Sequence, residues 1–95
     1  MNSEYTKVIF ATAIQKWGIE SQMGMLQEEC AEVIVAVNKL FRKGILNREC
    51  EKSLCEELAD VEIMCLQMRE LPGYAMQIDE QKARKIKRLH DLLEK

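Results

Sequence analysis

The sequence predicts an all-α protein, and three observations carry that expectation. Apolar residues return at three- and four-residue intervals through four stretches of the chain. The breaks between them hold Gly18, Gly44 and the Leu71-Pro72-Gly73 run, residues that end helices. No stretch shows the period-two alternation of a half-buried strand. The composition agrees: 47% hydrophobic and 32% charged residues with one proline among 95 describe a soluble helical domain, not a disordered chain. One domain over residues 1–95 is expected, with a core thin for a chain this short. Self-association into an oligomeric helical bundle would supply what the protomer lacks.

The first helix is predicted from Ser3 or Glu4 to Trp17, with Phe10, Ile14 and Trp17 on one stripe and Gly18 placed to end it. Ser21 is positioned to cap the second. That helix extends to about Arg42, because Leu26, Cys30, Val33, Val37 and Leu40 repeat at helical spacing until Gly44 interrupts. A third helix carries Leu54, Leu58, Val61, Cys65 and Met68, starting from Asn47 or Ser53 and closing at Leu71 to Gly73. The fourth begins at about Asp79 and turns Ile86, Leu89 and Leu93 inward.

Charge and cysteine content narrow the function classes. A formal charge of −2 gives no global attraction to nucleic acid or to an anionic membrane. No segment approaches the roughly 20 apolar residues that span a bilayer. Cys30, Cys50, Cys55 and Cys65 lack C-x-x-C spacing, and His90 is the sole histidine, a pattern that argues against a zinc site. Cys30 and Cys65 fall on the apolar stripes, where a reduced thiol packs as a small hydrophobe. The apolar stretch Val8 to Ile14 has neither a basic leader nor a small-residue cleavage site, and with reduced thiols this predicts a cytoplasmic protein.

The chain writes one acidic phrase twice, LQEECAEV from Leu26 and LCEELADV from Leu54, 28 residues apart. At about 100° per residue, Glu29 and Glu32 border the apolar stripe of the second helix, and Glu57 and Asp60 hold the equivalent border on the third. If these helices form a central antiparallel pair folded about Gly44, Glu29 comes level with Asp60 and Glu32 with Glu57. Four carboxylates gathered beside apolar surface repel one another and resist desolvation, and a divalent cation removes both penalties. Oxygen ligands suit a hard ion, Mg2+ first and Mn2+ second, while the absence of Glu-x-x-His argues against a di-iron centre. Glu28, Glu56 and Glu62 lie further from the stripes and are expected in solvent, although Glu28 shares enough of the Glu32 face to reach a metal-bound water.

These residues resemble a known family. EECAE from Glu28 to Glu32, followed by ELAD from Glu57 to Asp60, is similar to the E-E-x-x-E and E-x-x-D signature of the MazG-like all-alpha nucleoside triphosphate pyrophosphohydrolases. The likeness runs from KWGI at Lys16 through QMGMLQEECAEV and ELADVEIM to the lysine-bearing last helix, most of the chain. The resemblance implies Mg2+-dependent hydrolysis of a nucleoside triphosphate, deoxynucleoside or noncanonical, to the monophosphate and pyrophosphate. It implies Glu29, Glu32, Glu57 and Asp60 as metal ligands and Glu28 as the acid that orients or deprotonates water. It also implies a homodimer or homotetramer with sites near subunit contacts.

A triphosphate calls for cations as well as metal. In the run Lys82 to Arg88, Lys82 continues the stripe of Ile78, Ile86 and Leu89 and Lys85 borders it, so these two are the expected phosphate ligands. Lys87 and Arg88 point elsewhere, as a solvated basic face near a helix C-terminus. Lys39 is a further candidate from the end of the second helix, Asn38 for sugar or water, and Trp17 for stacking on the base. A noncatalytic helical interaction or nucleotide-sensing module is the alternative, while nucleic-acid binding would rest on the basic run alone.

Overall fold

A computed structural model describes residues 3–95. They form four α-helices, α1 (Ser3–Trp17), α2 (Ile19–Lys43), α3 (Arg48–Met68) and α4 (Tyr74–Leu93), with no strand among the described residues. The all-α expectation and the four elements therefore stand, and the breaks fall where glycine was placed. At Gly44 the backbone turns to φ 107°, a region that only glycine enters freely. Its N–H still reaches the Leu40 carbonyl at 2.8 Å, and its own carbonyl accepts from the Asn47 N–H at 3.0 Å. Asn47 then caps α3, its side-chain oxygen accepting from the Cys50 N–H at 3.0 Å.

Two boundaries differ from expectation. Ser21 caps nothing: α2 begins at Ile19, with Gly18 in the N-cap position and no side-chain cap. The Gly18 carbonyl accepts from the Gln22 N–H at 3.1 Å, which lets the helix start three residues earlier. Likewise α4 begins at Tyr74, not near Asp79, because the buried Leu71 fixes the turn and Gly73 supplies a left-handed N-cap at φ 81°.

Helix α2 packs principally on α3, and α1 touches both. The buried apolar core is small: Ala36, Cys50, Met64, Met68 and Leu71. Most stripe residues are only half-buried, including Leu26, Val33, Val37, Leu40, Leu54 and Val61. Cys30 and Cys65, expected in the core, are exposed, and Leu58 retains 41% of its surface. The apolar stripes are wider than one neighbouring helix can cover, so their borders stay in water.

Helix α4 departs furthest from expectation. It has no buried residue, and Ile86, Leu89 and Leu93, expected inward, are all exposed. Its base is held by the Arg69–Asp79 ion pair at 3.0 Å, which keeps the Asp79 carboxyl below its ordinary range. Beyond that the helix projects. A compact chain of this length has a radius of gyration of ~12 Å, whereas this one measures 16.2 Å. Its accessible surface of 7799 Å² exceeds the ~5,600 Å² of a compact monomer of its mass.

Candidate metal centre

Glu29 stands on α2, and Glu57 and Asp60 stand one turn apart on α3. One carboxylate oxygen from each lies within 4.8 Å of the other two. Glu29 and Glu57 are half-buried and Asp60 is exposed. The spacing is a consequence of helix geometry, since residues three apart share a face and the two faces meet where α2 packs on α3.

The electrostatics follow from this crowding. Desolvation pushes the Glu29 carboxyl above its ordinary 4.5, and Asp60, through charge and a hydrogen bond, then Glu57 and Glu32 push it further. Glu57 is raised in the same way, first by desolvation and then by Glu32, Asp60 and Glu56. Glu32 therefore belongs to the same field, but it is exposed and its oxygens lie outside the three-carboxylate group. Of the four expected ligands, three converge and the fourth flanks them.

No family model matches the chain, and no curated protein or solved structure matches it either.

Whether the group fits a hard divalent ion can be judged from its dimensions and donors. Neighbouring oxygens around an octahedral ion bonded at ~2.1 Å are about 3.0 Å apart, and opposite ones about 4.2 Å. At most one pair among three ligands can be opposite, so these oxygens, which lie within 4.8 Å of one another, would draw closer by side-chain movement to hold an ion. All donors are oxygen, as Mg2+ and Mn2+ prefer. The raised carboxyls add a reason: a cation would relieve the repulsion that now favours protonation.

The other expected site residues are dispersed. Glu28 and Asn38 are exposed, and so is Lys85. Lys39 lines a polar cavity of about 150 Å³ with Lys43, Asn47, Cys50 and Ser53, at the end of the helix pair that carries the turn. Lys82 lines a larger apolar cavity of about 490 Å³ between α3 and α4, with Leu26, Cys65, Leu66 and Ile78. None of the three converging carboxylates lines that cavity. Trp17 keeps 58% of its surface and has the Lys16 ammonium 5.6 Å from its ring centre.

Sequence reasoning missed one feature close to the cluster. Gln22 on α2 and Gln67 on α3 are buried, and their side chains hydrogen-bond to each other. A partial signal existed: Gln22 sits in the phase of the α2 stripe, four residues before Leu26, where an amide would be left unsatisfied without a partner. Gln67, by contrast, lies on the Asp60 side of α3, well off its apolar stripe.

The raised carboxyls make a prediction about stability. An acid whose pKa is higher in the folded than in the unfolded state costs stability as pH rises through that interval. Glu29→Gln should therefore melt like the wild type near pH 4 and above it at neutral pH, in the absence of divalent cations. Parallel thermal melts across that range check the sign, and a gap that narrows as pH rises would contradict it.

Proposed function

We propose that the chain is a Mg2+-dependent nucleoside triphosphate pyrophosphohydrolase of the MazG-like type, releasing pyrophosphate and a nucleoside monophosphate from a deoxynucleoside or noncanonical triphosphate. The observation that carries the reading is the meeting of Glu29 with Glu57 and Asp60 across two helices, the residues through which the sequence resembles that family. In this reading α2 and α3 run antiparallel about Gly44, and Glu32 swings in as a fourth ligand when the ion binds.

The chemistry requires a water oxygen to attack the α-phosphorus as the bond from that phosphorus to the α–β bridging oxygen breaks, with pyrophosphate leaving. Glu29, Glu32, Glu57 and Asp60 would hold the ion, and when bound it neutralises charge developing on the phosphate oxygens. Glu28, on the same helix and exposed to solvent, takes the proton of the attacking water. Lys39, Lys82 and Lys85 supply positive charge to the polyphosphate, Trp17 a face for the base, and Asn38 a contact to sugar or water.

A second copy of the chain completes the arrangement. The surface in excess of a compact monomer is on the order of 2,000 Å², more than the ~800 Å² that each partner buries in an ordinary stable interface. Homodimer or homotetramer formation through the apolar side of α4 would cover it and bring that helix, with Lys82 and Lys85, to a neighbouring carboxylate cluster. The protein is proposed to act in the cytoplasm, where Mg2+ and nucleotides are available and thiols stay reduced. Among the described residues no helix is long and apolar enough to cross a membrane.

Helix α4, with its uncovered apolar residues, also favours a noncatalytic interaction or nucleotide-sensing module, and one measurement separates the two. Pyrophosphate release from a panel of ribo-, deoxy- and modified triphosphates should appear with Mg2+ and vanish with chelator. Nucleotide binding without turnover on any substrate would instead establish the sensor.

A further inference from the structure

We infer that the buried Gln22–Gln67 pair is the positioning device of the carboxylate cluster, locking the end of the α2/α3 pair remote from the turn so that Glu29 faces Glu57 and Asp60. Gln22 exposes 6% of its surface and Gln67 4%, and the Gln67 Nε2 donates to the Gln22 Oε1. They are the two buried polar residues in a core otherwise made of Ala36, Cys50, Met64, Met68 and Leu71 among the described residues. No buried side-chain nitrogen or oxygen among the described residues lacks a partner.

The placement is symmetrical about the cluster. Gln22 lies seven residues before Glu29, and Gln67 seven residues after Asp60, two helical turns or about 10.5 Å along each axis. On the other side of the cluster, residues 44–47 join the helices and the Asn47 cap fixes the start of α3. The cluster is thus bracketed by a covalent connection at one end and an amide pair at the other.

Apolar contacts alone would hold the open end loosely. Methionine is unbranched and adapts to many packings, and Met64 and Met68 supply much of the buried surface there. Hydrophobic burial is also non-directional. The amide pair is directional: splaying the helices, or rotating one about its axis, separates donor from acceptor and leaves two buried polar groups unpaired. One arrangement is selected against its neighbours, as a buried polar residue selects register in a coiled coil. Neither glutamine is among the carboxylate ligands, so both act through the residues they place.

This inference rests on the cation-site reading for its consequence but not for its test. Gln22→Leu, Gln67→Leu and the double variant are compared by thermal melting, Mn2+ binding followed by electron paramagnetic resonance, and nuclear Overhauser contacts between α2 and α3. Each single variant strands one buried amide and should melt roughly 5–15 °C lower. The double variant should recover most of that loss, yet bind Mn2+ about tenfold or more weakly, with interhelical contacts spread over several alignments. A double variant with wild-type Mn2+ affinity and a single wild-type set of interhelical contacts would overturn the inference. If the wild type itself binds no Mn2+, the metal reading fails while the interhelical contacts still decide the role of the pair. Gln22→Asn, which shortens the acceptor arm without adding apolar surface, gives the same decision should the double variant not fold.

Discussion

Glu57→Gln should lower pyrophosphate release about a thousandfold, equivalent to ~4 kcal/mol of lost transition-state stabilisation, and leave the helices intact. Glu57 is half-buried in a group of like charges, and desolvation, Glu32 and Asp60 already disfavour its ionised form. The amide keeps the volume and removes the charge. In chelator the variant should therefore melt at or above the wild-type temperature near neutral pH. Adding Mg2+ reverses the order: a cation at 100 times its dissociation constant stabilises the folded wild type by ~2.7 kcal/mol, a shift of roughly 10 °C or more for a domain this small. The variant, short of a ligand, should gain little. Full turnover in Glu57→Gln would remove this carboxylate from the site, and a wild-type melt indifferent to Mg2+ would remove the ion.

What the sequence disclosed, and what it concealed, follows from the range of the forces involved. Helix breaks were legible because they are local: Gly18, Gly44 and Gly73 each take a positive φ that the neighbouring residues would resist. The converging acids were legible because phase along a helix is fixed by its pitch, so Glu57 and Asp60 must share a face with each other and with Gln67. Burial was not. The stripes through Cys30, Leu58 and Cys65 mark surfaces that prefer to be covered, but periodicity says nothing of which molecule covers them, and within one chain they stay exposed. The Gln22–Gln67 pair was hidden for a related reason. Gln22 alone looks like a polar interruption of a stripe and Gln67 like part of the polar face beyond Asp60, and only their meeting across 45 residues makes burial favourable. Glu32 shows the remaining limit: it lies one turn from Glu29, yet it is exposed and stands outside the three-carboxylate group.

The second large effect is expected from α4. A 20-residue helix standing alone in water is marginal, because nucleation is costly and most helical stability in proteins comes from packing an apolar face. Here that face is uncovered: Ile86 exposes 63% of its surface, Leu89 57% and Leu93 77%. If a second copy covers it, each such side chain buried contributes about 1.5–3 kcal/mol, and a two-fold interface counts each one twice. The double variant Ile86→Asp/Leu89→Asp removes four apolar contacts per dimer, on the order of 6–12 kcal/mol, which weakens association by more than 10⁴-fold. Sedimentation should then show wild-type dimers or tetramers and a variant at the 11.0 kDa protomer mass. Far-ultraviolet circular dichroism should fall by up to the share of α4, since the isolated chain offers that helix little support beyond the Arg69–Asp79 pair at its base. Neither substituted residue is a proposed ligand of metal or phosphate, so a parallel loss of turnover would mean that Lys82 and Lys85 serve the carboxylates only while α4 is covered and folded in the assembly. A wild type that sediments as a monomer at every concentration while keeping the full helix signal would show that α4 stands without a partner, and would end both the assembly and its role in the site.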